Sequence, residues 1–142
     1  MNLPKCLVIV ALAVISACYD WKQRIIPNWL TMGGICFGFL LSIFQGTFDF
    51  SLIGFCSSCL LLIPFKKGWI GGGDVKLLMA YATLLGPWHF IDLWLDAAVL
   101  SVPIVLYISH RQKRSWREVG IPYAVPLAMT AFWIVGKGVM FL

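Results

Sequence analysis

Charge is scarce in this chain. Of its 142 residues only 12% are charged and 61% are hydrophobic, with a mean hydropathy of +0.89; a soluble domain averages about 25% charged and roughly 45–50% apolar residues. That balance excludes a soluble globular domain, and at this length a single domain needs nearly all its residues to cross a bilayer. Residues 1–142 are therefore read as one transmembrane domain with no soluble module beside it. The apolar–polar alternation of a membrane barrel is also missing, which leaves an all-α polytopic protein. Metal-ligand spacing is lacking too: Cys6, Cys18, Cys36, Cys56 and Cys59 all fall inside apolar runs, and Cys56-Ser57-Ser58-Cys59 is a lone CxxC with no second pair or histidine to complete a tetrahedral set. Neither a disulfide framework nor a metal site is expected, and no cofactor is called for.

What is present is six apolar segments: Leu3 to Tyr19, Trp29 to Phe44, Phe50 to Phe65, Val75 to Phe90, Ile91 to Ser109, and Ile121 to Leu142. Several are shorter than the ideal span of about 20 residues. The net charge of +5 is concentrated in alternate loops, which points to membrane topology rather than to nucleic acid. Lys22 and Arg24 form one cluster, Lys66, Lys67 and Lys76 a second, and Arg111, Lys113, Arg114 and Arg117 a third, while the other side keeps Lys5 and Lys137. The positive-inside rule then places both termini outside and the three basic loops in the cytoplasm. Trp29, Trp69, Trp88, Trp94, Trp116 and Trp133 lie mostly near segment ends, as an interfacial belt requires. Ile15-Ser16-Ala17-Cys18 has the look of a lipoprotein cleavage site, but five further spans follow it, and the first segment is read as a retained helix.

Two acids stand out against this background. Asp20 closes the first apolar run and Asp74 opens the fourth, and the topology puts both on the cytoplasmic side while Asp49, Asp92 and Asp96 fall on the other. A carboxylate at membrane depth marks a functional site by default, and two close together share a proton, which is what aspartyl hydrolysis requires. Gly71-Gly72-Gly73 precedes Asp74 and leaves room for another backbone to approach. Pro27 follows the first helix, and Asn28 is placed to cap the second with its side-chain oxygen. Gly33, Gly34 and Gly38 suit close helix packing. His89 and His110 sit in opposite loops away from the pair and read as interfacial. A structural reading competes: Asp74 as a helix cap, and Asp20 paired with Lys22 or Arg24. The residues alone leave the two readings level. A small transporter or proton relay using the same aspartates is a third possibility, although no internal repeat of the kind many transporters show is visible.

At these positions the sequence resembles the type IV prepilin peptidases, a family of intramembrane aspartyl proteases. Asp20-Trp21-Lys22-Gln23-Arg24-Ile25-Ile26-Pro27-Asn28 is similar to the family's first motif, and Gly71-Gly72-Gly73-Asp74-Val75-Lys76 to its second. Ile121-Pro122-Tyr123-Ala124-Val125-Pro126-Leu127-Ala128 looks like the proline-containing stretch that opens its last helix. The resemblance implies catalytic Asp20 and Asp74, with Gly71, Gly73, Lys76, Pro27 and Asn28 in support. It implies cleavage of a short basic leader from a pilin-like precursor at the cytoplasmic face of the bacterial inner membrane. The expected partners are that precursor and membrane lipid, with the oligomeric state open. The family's larger members carry a cysteine-rich cytoplasmic segment, and many also methylate the new N-terminus. This chain looks like the compact, peptidase-only class similar to enzymes of Flp-type pilins, with no N-methyltransferase activity expected. The presenilin group shares the Gly-x-Gly-Asp logic, but its Pro-Ala-Leu motif finds only Pro126-Leu127-Ala128 here, in the wrong order.

Overall fold

The computed structural model describes residues 3–23, 25–68, 70–112 and 123–140. Arg24, Trp69, Lys113, Arg114, Trp116, Arg117, Ile121 and Pro122, used in the readings above, lie outside the described residues. The described residues form helices and no strand: α1 (Leu3–Gln23), α2 (Asn28–Phe44), α3 (Phe48–Ser58), a 3-10 turn (Cys59–Leu61), α4 (Leu62–Lys66), α5 (Gly72–Gln112) and α6 (Ala124–Met140). Leu3–Gln23, Phe48–Lys66 and Gly72–Arg111 are each long and apolar enough to cross a membrane; α2 and α6 are apolar but shorter. Large apolar side chains such as Leu7, Phe37, Ile53 and Val99 stand exposed on several helices, a surface that a soluble monomer does not carry. The chain reads as a membrane protein.

One boundary differs from expectation. The fourth and fifth apolar segments do not part between Phe90 and Ile91; the break is at Gly86, with φ 75° and ψ 177°, and divides α5 into two helical stretches. Glycine reaches that conformation without a steric penalty, and Pro87 after it has no amide hydrogen with which to continue the helix.

The first half of α5 is the centre of the molecule. Val75, Leu77, Leu78, Ala80, Tyr81, Ala82, Thr83 and Leu84 are all buried, packed mainly against α3 and α2, while α1 packs mainly against α6. In a bilayer there is no hydrophobic drive between helices, so small residues and hydroxyls must hold them. Gly34 faces Ala80, where an added Cβ would come within 3.0 Å of the alanine's own. At Gly38 it would meet Thr83, and at Gly54 the backbone oxygen of Ala82. Gly33, expected to pack in the same way, faces open space. A buried hydroxyl chain adds to these contacts: Ser42 Oγ lies 2.7 Å from the Gly38 carbonyl and Ser51 Oγ 2.7 Å from the Thr83 carbonyl, and the two hydroxyls, which face each other, distribute their two protons over this chain of acceptors.

Candidate active site

Asp20 sits one turn from the end of α1 and is 6% exposed. Its Oδ2 accepts the Ala124 backbone N–H at 3.0 Å, so the carboxylate satisfies one of the amides that the first turn of α6 cannot bond internally. A helix N-terminus is a favoured place for a carboxylate. Asp74 lies in the first turn of α5 and is half-buried. Tyr123 directly precedes Ala124 and α6 and is half-buried. The two aspartates share one end of the bundle: Asp20 holds the start of α6, and Gly73, just before Asp74, packs on Ile26 six residues after Asp20. α1 and α5 touch each other little; the junction is made by α6 and the first loop, rather than by α1 packing on α5.

The glycines before Asp74 have definite neighbours. An added Cβ at Gly71 would lie 2.9 Å from Asp74 Oδ2, so the bare glycine leaves the place into which the carboxylate folds back. At Gly72 it would press on the Phe65 ring at 3.2 Å, and at Gly73 it would touch Ile26 Cβ at 3.4 Å. The room expected for a visiting backbone is, at Gly71 and Gly73, filled by the chain's own carboxylate and isoleucine.

Three consecutive residues of the first motif join it to α5 and α2. Ile26 is buried against Gly73. Pro27, extended at φ −67° and ψ 137°, occupies the cap position of α2, and its carbonyl accepts the Leu30 N–H at 3.1 Å. Asn28 does not cap with its side chain as expected, because it is already the first helical residue. Its Oδ1 instead accepts a hydrogen bond from Lys76 Nζ at 2.9 Å, which ties the first motif to the second. Tyr19 and Trp29 meet edge to face across the loop with centroids 6.3 Å apart.

All seven residues singled out from the sequence, Asp20, Pro27, Asn28, Gly71, Gly73, Asp74 and Lys76, are therefore at one end of the molecule. The sequence reading named Ile26, Tyr123 and Ala124 only as members of motif-like stretches, with no role of their own. The motif-like stretch from Ile121 to Ala128 was the one signal for the last two, but a contact between residues 104 positions apart leaves no local pattern.

Over residues 7–110 the chain matches the type IV leader peptidase family. It belongs to that family. A curated relative, prepilin peptidase EppA of Methanocaldococcus jannaschii, is 30% identical over 125 residues, an alignment covering 83% of this chain and 36% of that protein. The chain thus spans about a third of that relative's length. No solved structure matches the chain. Membership carries leader-peptide processing as the family's general activity, and both Asp20 and Asp74 fall inside the matched region.

Proposed function

We propose that this leader peptidase is an intramembrane aspartyl endopeptidase, with six spans and both termini outside, that removes the basic leader of pilin-like, Flp-type precursors at the cytoplasmic membrane face. The observation that supports the reading is that Asp20 and Asp74, from two separate helices, lie at one end of the bundle, Asp20 bonded to the first amide of α6 and the residue before Asp74 packed on Ile26 of the first motif. An ionised carboxylate takes a proton from water as the water oxygen attacks the scissile carbonyl carbon, and the protonated carboxyl gives its proton to the carbonyl oxygen. Collapse of the tetrahedral intermediate breaks the C–N bond and delivers a proton to the leaving amine. Ile26, Pro27, Asn28 and Lys76 hold the two motifs in register for this chemistry. Lys22, Lys66 and Lys67 at the same end agree with a cytoplasmic orientation.

The test is cleavage of a candidate Flp-type precursor by membranes containing the wild-type chain, Asp20→Asn or Asp74→Asn. Each variant is expected to leave the precursor at full length, a loss of at least ~100-fold, the lower end of what a positioned acid or base contributes. Normal processing by either stably inserted variant would sink the assignment. Lys76→Ala should retain measurable cleavage, because it supports the motif from outside the reacting atoms. A proton-relay protein would instead lose an ion flux, with no precursor accumulating.

A further inference from the structure

At the end of the bundle remote from the aspartates the structure holds a second polar constellation. Lys5 is 15 residues before Asp20 on α1, about 22 Å away at the helical rise, and Gly86 is a further 12 residues beyond Asp74 on α5, about 18 Å. Between them lies a cavity of about 330 Å³ lined by Lys5, Thr47, Gly86, Pro87, Trp88 and His89, among others.

The charge in this cavity is incomplete. The Lys5 ammonium is half-buried and donates to Thr47 Oγ1 at 3.2 Å. Among the described residues it forms no ion pair, although Asp49 stands exposed two positions from Thr47. A cation withdrawn from water and held by one neutral hydroxyl is short of an anion. The break at Gly86 adds to the positive character. It starts a new helical segment whose first turn, Pro87 to His89, lines the same cavity, and a helix's first turn carries partial positive charge. His89 brings an imidazole donor to the rim. Among the described residues no carboxylate lines the cavity.

We propose that this cavity binds a phosphate ester, held by the Lys5 ammonium, the Thr47 hydroxyl and His89. The chemistry is that of an anionic phospholipid headgroup, which a membrane supplies at the level where α1 begins and α5 breaks. Inorganic phosphate offers the same oxygens without the lipid.

Titration of the purified full chain in detergent, read by thermal unfolding, separates the outcomes. The probes are short-chain phosphatidylglycerol, short-chain phosphatidylcholine and inorganic phosphate. Phosphatidylglycerol should raise the midpoint more than phosphatidylcholine. Lys5→Gln should weaken its apparent affinity about tenfold, the scale of one lost charge-assisted hydrogen bond, and Lys5→Arg should retain most of it. Lys137→Gln, which removes a cation stacked on Trp133 elsewhere, should leave the shift intact. If inorganic phosphate gives the same Lys5-dependent shift, the site stands and its ligand is free phosphate. An equal shift in Lys5→Gln and wild type, or the same loss in Lys137→Gln, overturns the proposal. Should Lys5→Gln fail to fold, Thr47→Val and His89→Gln supply the same comparison, and undiminished binding in both overturns it equally.

Discussion

The two halves of α5 are written in the same apolar alphabet and live in different surroundings. From Val75 to Leu84 nearly every side chain is enclosed, whereas Val99, Val102, Leu106 and Tyr107 are 56–71% exposed. Hydropathy does not separate them, because in a bilayer an apolar side chain is equally at home against lipid or protein. What does separate them is the size and polarity of the facing residues. The first half places Ala80, Ala82 and Thr83 under Gly34, Gly38 and Gly54 and inside a hydroxyl chain; the second half buries a narrower stripe of Phe90, Leu93 and Ala97 and turns its branched side chains beyond Ala97 outward. The close approaches at glycine thus fall along the half that carries Asp74, and the aspartate opens the more enclosed half of α5.

The strongest way to break this contrast is at Gly54. A Cβ there meets the Ala82 carbonyl, which belongs to a helix backbone and cannot turn aside. Gly54→Val should therefore cost ~3 kcal/mol, at the upper end for overpacking, and abolish a cooperative thermal unfolding transition in detergent. Gly38→Val should cost less, about 1–3 kcal/mol, since the obstructing atoms belong chiefly to the Thr83 side chain. A melting midpoint unchanged by either substitution would mean that α2 and α3 do not seat on α5 as described. Ser51→Ala tests the hydroxyl chain and should cost about 1 kcal/mol, the usual scale for a polar contact between membrane helices. Leu106→Ala, in the exposed half, should shift stability by less than ~0.5 kcal/mol; a larger loss would show that this half is covered in the membrane by something other than lipid.

Much of the candidate site was visible in the sequence because its parts are local. Asp20 and the Ile26-Pro27-Asn28 turn, or Gly71 and Asp74, announce themselves through costly residue types at short spacing. The errors arose where one local pattern fitted two geometries. Asn28 has the composition of a cap, yet Pro27 occupies the cap position one residue earlier and frees the carboxamide to reach Lys76. The Gly86-Pro87 pair is a breaker signal, but it sits inside a continuous apolar run whose composition pointed four residues further on. The contact of Asp20 with Ala124 was beyond reach, since it depends on how α6 lies against α1. That packing is built from residues whose apolar character suits many alternatives.

The stretch between Asp20 and Asn28 works as a measuring rod. One end is fixed by the carboxylate at α6, the other by the amide at Lys76, and Ile26 marks the point where Gly73 must arrive. A single inserted or deleted residue there would leave every helix its own composition and still mis-set the gauge, pulling the two motifs out of step. Its length, rather than the identity of its exposed residues, is what the chain cannot vary.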